Sequence, residues 1–174
     1  ICWSFQFDEL ATSPAIGPNG NVYVGSTEDR LYIIDAAGTT VAEFLSDGDI
    51  VGAPVVAADG SVFFGTTAGT VYSLDSQGFI NWNFPTGSSV TRTPALDDQG
   101  RVIVGTESGV VYAISTLTGN EEWSRNLGTT IGTGITVDDR GVVYVGTTDG
   151  LLHALVGDSS GLASGGWPRF GANN

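Results

Sequence analysis

The sequence predicts an all-β fold, a β-propeller of four-stranded antiparallel blades built here from four repeats of about 40 residues. Three observations support this prediction. The same apolar pattern returns four times and ends each time on a glycine, at Gly25, Gly65, Gly105 and Gly146. The 26 glycines follow no Gly-X-Y period, which excludes collagen and suggests many turns. Hydrophobic residues make up 41% of the 174-residue chain, enough for a packed core in one domain.

Each repeat is predicted to contain four strands, which we call A to D. The repeats begin near residues 13, 53, 93 and 133, and strand A is the short run that opens each one. The turn into strand B carries Asn or Asp together with Gly20, Gly60, Gly100 or Gly141. Tight hairpins need these residue types, so strands A and B should pair antiparallel.

Strands B and C are apolar almost without alternation, which indicates that protein covers both of their faces. Strand C carries an aromatic ring at one repeated position, and we expect these residues to pack between blades: Tyr32, Tyr72, Tyr112 and His153. His153 is the single histidine of the chain. Because it aligns with three tyrosines, we expect a packing role for it instead of acid–base or metal chemistry.

Strand D is predicted to carry an aromatic residue that packs against the neighbouring blade, and the aligned residues are Trp3, Phe44, Trp82 and Trp123. Residues 1–8 alternate aromatic and polar side chains, as expected for an outer, half-exposed strand D without its own A, B and C. A single blade cannot bury both faces, so each repeat should be stable mainly through its neighbours.

The propeller repeats are predicted to span residues 1–156, and residues 157–174 to form a Gly/Ser-rich C-terminal tail in which Pro168 interrupts a further strand. The fourth blade would then lack strand D, which the N-terminal strand could supply. Supply within one chain would close a four-bladed ring, and supply from a second copy would give a homodimer with an eight-bladed ring. Propellers of four to eight blades are known, so counting leaves these possibilities, and further chain, open.

The net charge is −13, and all six basic residues are arginines. Nucleic-acid affinity comes largely from Lys and Arg, so we expect no nucleic-acid partner. No apolar run of 18 residues is present, so we expect no membrane span. An acidic, lysine-free surface suits a secreted or periplasmic protein of a bacterium or archaeon. Cys2 is the only cysteine, which excludes an intrachain disulfide, and the start at Ile1 suggests a processed product or a piece of a longer protein.

The segment from Ala113 to Trp123 resembles the tryptophan-docking motif of the PQQ-type (quinoprotein) propellers, Ala-x-Asp-x-x-Thr-Gly-x-x-x-Trp, with Ser115 in place of Asp. The second repeat keeps a shortened form that ends in Trp82, and the first ends in Phe44. The resemblance covers about residues 1–156. It implies the fold, a Trp packed on the next blade, and a ring of commonly seven or eight blades.

The same family includes alcohol and glucose dehydrogenases, a propeller lipoprotein of the outer-membrane β-barrel assembly machinery, and sensor domains of bacterial kinases. Its enzymes usually stack the quinone on a vicinal disulfide beside Ca²⁺ and a catalytic Asp, whereas this chain has one cysteine. We therefore predict no catalytic residue, no metal ligand and no cofactor. Two alternatives stay open: a part or remnant of a PQQ-dependent oxidoreductase, and a purely structural segment of a larger extracellular protein.

The predicted function is that of a non-catalytic interaction scaffold that binds a protein or glycan partner. Loops carry function on rigid scaffolds, so the binding face should be the rim where D-to-A and B-to-C loops converge. The candidates are the charged loop residues that vary between repeats: Glu28, Asp29, Arg30, Asp47, Asp49, Arg92, Glu107 and Asp149. The spacing of Asp47 and Asp49 lacks the further oxygen ligands of an EF-hand calcium loop.

Overall fold

A computed structural model describes residues 3–138 and 140–156, and these residues form fifteen β-strands. The first blade consists of β1 (Ala15–Ile16), β2 (Val22–Gly25), β3 (Arg30–Ile34) and β4 (Thr40–Leu45). The second consists of β5 (Val55–Val56), β6 (Val62–Gly65), β7 (Thr70–Leu74) and β8 (Ile80–Pro85). The third consists of β9 (Ala95–Leu96), β10 (Arg101–Gly105), β11 (Val110–Ser115) and β12 (Glu121–Asn126). The fourth consists of β13 (Thr136–Val137), β14 (Val142–Gly146) and β15 (Leu152–Val156).

Each blade is a separate antiparallel sheet whose strands pair in chain order. Three blades have four strands, and the fourth has three within the described residues. The predicted all-β class and the four-stranded antiparallel blades are therefore confirmed. No helix in residues 3–138 and 140–156 could cross a membrane.

The turns between the first and second strands form for the reason that the sequence suggested. In the second blade, the Ser61 N–H donates to Oδ1 of Asp59 over 2.9 Å, and Gly60 adopts a φ of 89°. Glycine tolerates this left-handed conformation without steric cost, while the Asp carboxylate satisfies a backbone donor. The result is a short hairpin that reverses the chain between β5 and β6.

The core lies between neighbouring blades. One buried cluster joins the first two blades, as in the contact region of Ile33 and Phe64, and two more join the second to the third and the third to the fourth. β15 of the fourth blade alternates exposed and half-buried residues, whereas the second and third strands of the two middle blades are mostly buried because a blade lies on either side. This arrangement explains their nearly uninterrupted apolar sequence.

Tryptophan docking locks a blade to the next one along the chain. The Trp82 indole Nε1 donates to the carbonyl oxygen of Thr116 over 2.8 Å, and a Cβ on Gly119 would lie 2.7 Å from its Cγ. Trp3 docks in the same way on the first blade, where Nε1 donates to Ala36 over 3.0 Å and Gly38 lies under the ring. Glycine is required at both positions because the indole leaves no room for a side chain.

The predicted alignment of Phe44 with Trp82 and Trp123 is wrong. Strand pairing sets Ala42 opposite Ile33, as Trp82 is set opposite Ser73. The position of Trp82 is thus occupied by Ala42 in the first blade, and Phe44 corresponds to Phe84. Phe44, two residues after Ala42, packs on the second blade. A comparison by residue type therefore matched it with the tryptophan of the other blades.

The N-terminal strand predicted over residues 1–8 does not form in its described part, because residues 3–7 belong to no strand. Their aromatic rings nevertheless pack on the first blade, with the Phe5 and Phe7 centroids 5.6 and 5.3 Å from that of Tyr32. A strand forms only beside another strand, and no described strand pairs with this segment. Cys2, Asp139 and the predicted tail over residues 157–174 lie outside the described residues.

Candidate functional site

The candidate site is the rim, which we define as the turns 26–30, 66–70, 106–110 and 147–151 together with the loops 46–50, 86–90 and 127–131. Each loop is bonded to the turn of the next blade by a backbone hydrogen bond. The Thr67 N–H donates to the Asp49 carbonyl over 3.0 Å, and Glu107 donates to Ser89 over 3.0 Å. The Thr148 N–H donates to Thr130 over 2.9 Å. The rim is therefore a chain of loops tied to one another.

A buried hydroxyl opens each of the four turns: Ser26, Thr66, Thr106 and Thr147. The hydroxyl of Thr106, for example, donates to the carbonyl of Val110 over 3.0 Å, and the others make the equivalent bond over 3.3 Å. Sequence reasoning missed these residues. The available signal was the Ser or Thr that follows the repeated glycine in every repeat.

Four of the predicted residues lie at one corner of the rim, where the first blade meets the second: Glu28, Asp29, Asp47 and Asp49. Asp47 is held there by two hydroxyls, since its Oδ1 accepts from Thr66 Oγ1 over 2.8 Å and its Oδ2 accepts from Thr70 Oγ1 over 2.5 Å. Asp29 adopts a φ of 60°. Asp47 thus links two blades, in addition to presenting its charge at the surface.

Electrostatics at this corner are those of crowded carboxylates. Partial loss of hydration, and then the neighbouring Asp49 and Asp47 carboxylates, raise the pKa of Asp29. The Tyr32 hydroxyl donates to Glu28 Oε1 over 3.2 Å, and burial followed by this carboxylate raises the Tyr32 pKa. No group of three or more His, Cys, Asp or Glu residues among those described is arranged to hold a metal ion.

Three further rim candidates make contacts of their own. Arg30 pairs with Glu43 on the outer strand, with Nη1 and Oε2 3.3 Å apart. Glu107 accepts a hydrogen bond from Thr91 Oγ1 over 3.2 Å. Asp149 accepts from Thr147 Oγ1 over 2.6 Å, and this bond lowers the Asp149 pKa.

His153 occupies the strand position that the tyrosines occupy in other blades, because it pairs with Val145 as Tyr112 pairs with Val104. Its Nε2 lies 3.1 Å from Oγ1 of Thr147. Tyr72 and Tyr112 make comparable inter-blade ring contacts with Phe44 and Phe84, with centroids 5.2 and 5.6 Å apart. The geometry places His153 in a turn-supporting hydrogen bond, and its predicted packing role stays a prediction.

The loops also line an open cavity of about 310 Å³ near the start of each first strand. All four blades contribute to its wall, which includes Ser13, Gly52, Arg92, Thr93 and Gly134. Thr93 joins three blades, because its Oγ1 accepts from the Ala53 N–H and its carbonyl accepts from the Ile135 N–H, each over 3.1 Å. Arg92, predicted as a rim residue, therefore belongs to this axial cavity.

Two further ion pairs lie in the turns between the first and second strands and serve structure. Arg101 Nε donates to Asp97 Oδ2 over 2.7 Å, and both side chains are almost fully buried. Burial raises the Asp97 pKa, and Arg101 opposes this effect. In the fourth blade the Arg140 guanidinium lowers the pKa of Asp138 to about 2.

Comparison with known proteins indicates the same architecture. The profile of the PQQ_2 family, described as outer membrane protein assembly factor BamB, matches residues 1–132 and again residues 107–162. No curated protein matches the sequence directly.

Solved structures share the fold. The crystal structure of BamB from Moraxella catarrhalis superposes with a TM-score of 0.76 and 24% identity over 88% of this chain and 49% of that one. The computationally designed Ika4 protein gives a TM-score of 0.76 and 18% identity over 87% of this chain and 94% of its own. The designed Ika8 protein gives 0.74 and 18% over 86% and 46%. This chain thus spans about half the length of BamB and of Ika8.

Proposed function

Because this chain belongs to the PQQ_2 family, described as outer membrane protein assembly factor BamB, we propose that it is a non-catalytic scaffold that binds a partner protein through its rim. The partner contacts side chains that the hydrogen-bonded loops hold in fixed positions. We place the protein in the periplasm or outside the cell, since the family description refers to the outer membrane.

The repeated backbone bond between neighbouring loops is the observation that carries this proposal. It fixes the loop backbone in every blade while the side chains differ from one turn to the next, as with Ala68, Ser108 and Asp149. A rigid frame with variable side chains loses little conformational entropy on binding, which favours recognition of a protein surface.

A quinone enzyme is the competing function, and it would show itself by a direct assay. Addition of pyrroloquinoline quinone with Ca²⁺ should leave the absorbance spectrum and the unfolding midpoint of a scaffold unchanged. A saturable spectral change together with a higher midpoint would instead indicate an oxidoreductase site.

We also propose that a second copy of the chain completes the ring. β15 has no pairing partner on its outer side within the described residues, and Leu152 and Val156 there are 74% and 88% exposed. Residues 3–7 carry docked aromatics and pair with none of the described strands. Pairing of each segment with β15 of the other copy would satisfy both, and the match to half of BamB and of Ika8 supports a ring of about eight blades.

Site-specific photo-crosslinking tests the rim as the binding surface. A photoreactive phenylalanine analogue would replace exposed Ala68 on the rim or, as the matched control, exposed Gln77 in the turn at the opposite end of the same blade. After incubation with a periplasmic extract, a discrete protein adduct at position 68 and none at 77 is expected, and the adduct should reform with the purified partner. Equal adducts at both positions, or adducts only at 77, would contradict the proposal, and a glycan partner would give none at either.

A further inference from the structure

We propose that the axial cavity is an anchor site for a carboxylate side chain of the partner protein, with Arg92 as its counter-ion. The inference rests on the proposed function, since it names the chemistry that the partner brings. Among the residues that line the cavity, Arg92 alone carries a charge, and its side chain is exposed.

Arg92 differs from the other described arginines in having no ionic or hydrogen-bonding partner within residues 3–138 and 140–156. Arg30 pairs with Glu43, Arg101 with Asp97, and Arg140 with Asp138. Arg125 forms no ion pair in the described residues either, but it bonds the Ser124 carbonyl and lies over the Trp123 ring, so Arg92 is the one described arginine without such a contact. Its planar guanidinium offers the paired donors that suit a carboxylate.

The loop that carries Arg92 is held in place on both sides. Thr93 accepts hydrogen bonds from the Ala53 and Ile135 N–H groups, and Thr91 donates to Glu107. The bond to Thr91 engages the Glu107 carboxylate, which forms no ion pair with Arg92. The guanidinium is thus set on a braced loop and is available to an incoming anion.

The wall of the cavity favours a peptide as the carrier of that carboxylate. The Cβ position of buried Gly52 is filled by the Arg92 backbone, so the bare backbone open to the cavity is that of Gly132 and Gly134. Wall regions without side chains let another main chain approach. At about 310 Å³ the cavity exceeds the size of one carboxylate and admits a whole acidic side chain.

The charges around the cavity also restrict which peptide sequences can bind there. The rim carries the carboxylates of Glu28, Asp29, Asp47 and Glu107, and the chain has a net charge of −13. A free small anion would be repelled by this field, whereas an acidic residue flanked by lysines would satisfy Arg92 and the rim together. We therefore assign the cavity to a Glu or Asp in a basic loop of the partner.

Titration of the complete, ¹⁵N-labelled chain with acetyl-Lys-Glu-Lys-amide tests this assignment by NMR. Saturable shifts of the Gly52, Thr93 and Gly134 amides are expected. Arg92→Gln should weaken the interaction about tenfold, and Arg92→Lys should weaken it less. The matched Arg125→Gln variant, exposed on the outer strand β12 and outside both the rim and the cavity, should titrate like the unmodified chain.

Two reference ligands decide the source of the carboxylate. Acetyl-Lys-Gln-Lys-amide should bind at least about tenfold more weakly than the Glu peptide, and glutarate should bind more weakly as well. Equal binding of glutarate would overturn the peptide assignment in favour of a small-anion site. Shifts that are absent, or unchanged by Arg92→Gln, would overturn the cavity site altogether. Because no partner protein takes part, such a failure would leave the crosslinking result at position 68 intact.

Discussion

The junction between the first two blades and the junction between the second and third solve the same packing problem differently. At the second junction Trp82 lies over Gly119 and bonds Thr116. At the first, Ala42 stands in the tryptophan position, and its Cβ is 3.3 Å from the site of a Cβ on Gly78. There Phe44 contacts both Phe64 and Tyr72, with ring centroids 6.1 and 5.2 Å apart.

The comparison teaches that blade docking rests on a layer of aromatic contacts and not on one residue type. A large indole supplies much of the buried area at one junction, and a cluster of three rings supplies it at the other. Each ring buried between blades contributes about 1.5 to 3 kcal/mol, and favourable ring pairs contribute about 0.5 to 1.5 kcal/mol more. The first three of the predictions that follow test this division between the junctions.

The largest effect is expected for Trp82→Ala, which should lower the free energy of unfolding by about 3 to 5 kcal/mol. The substitution leaves a cavity over Gly119 and removes the bond to Thr116. Trp3→Ala is the matched control, because Trp3 makes the same contact at the chain end and is 37% exposed. Urea unfolding followed by fluorescence should show a clearly smaller loss for Trp3→Ala, and equal losses would contradict the account.

A second substitution pair separates the two junctions. Phe44→Ala should cost about 3 kcal/mol, and Phe84→Ala about 1 kcal/mol less. The reason is that Phe84 shares its junction with Trp82 and, among the described rings, contacts only Tyr112, edge-on. Urea midpoints of the two variants, measured side by side, check the order. A greater loss for Phe84→Ala would mean that the aromatic cluster does not replace the tryptophan.

The missing indole can be restored at the first junction. Ala42→Trp should raise the free energy of unfolding by about 1 kcal/mol, because the ring would cover Gly78 and bury apolar area on the second blade. Val41→Trp, on the exposed face of the same strand, is the control and should give no gain. Thermal melts of both variants measure the effect. A lower melting temperature for Ala42→Trp would show that the first junction is packed tightly around alanine and has no room for an indole.

The smallest effect concerns pH and the end blade. The Asp138 carboxyl has a pKa of about 2 in the folded chain, against 3.8 when unperturbed, chiefly because of its hydrogen bond from Arg140. A lowered folded-state pKa stabilises the fold above the unfolded value, so this contribution is complete above about pH 5 and is lost as the pH falls towards 2. The difference in urea midpoint between the unmodified chain and Asp138→Asn should therefore shrink over that range. A difference that stays constant from neutral pH down to pH 2 would refute the assignment.

Much of the fold could be predicted because the same pattern of strands and turns occurs four times in the sequence. Glycine-bearing turns and unbroken apolar strands located the blades, and the motif ending in Trp123 indicated the docking position. The alignment of Phe44 failed because it matched residues by aromatic type: Ala42 lies one 40-residue repeat before Trp82 and pairs with Ile33 as Trp82 pairs with Ser73. Alanine carries no aromatic signal, and Phe44 packs on the second blade in its place.

The candidate site was predictable only as a set of loops. Residues such as Asp47 and Asp49 lie on the rim as the turn pattern suggested. The axial cavity was not predicted, because Ser13, Gly52, Arg92 and Gly134 come from four blades and meet only through tertiary packing. The role of Thr93 as a bridge between blades has the same origin.

The two end segments are the remaining part of the comparison, since within residues 3–138 and 140–156 neither the outer side of β15 nor residues 3–7 pairs with a strand. The absolute mass in solution, measured by light scattering behind a sizing column at several concentrations, tests most directly whether a second copy supplies them. The account predicts a stable mass of twice the 18.0 kDa of one chain. A mass of one chain at every concentration would contradict it.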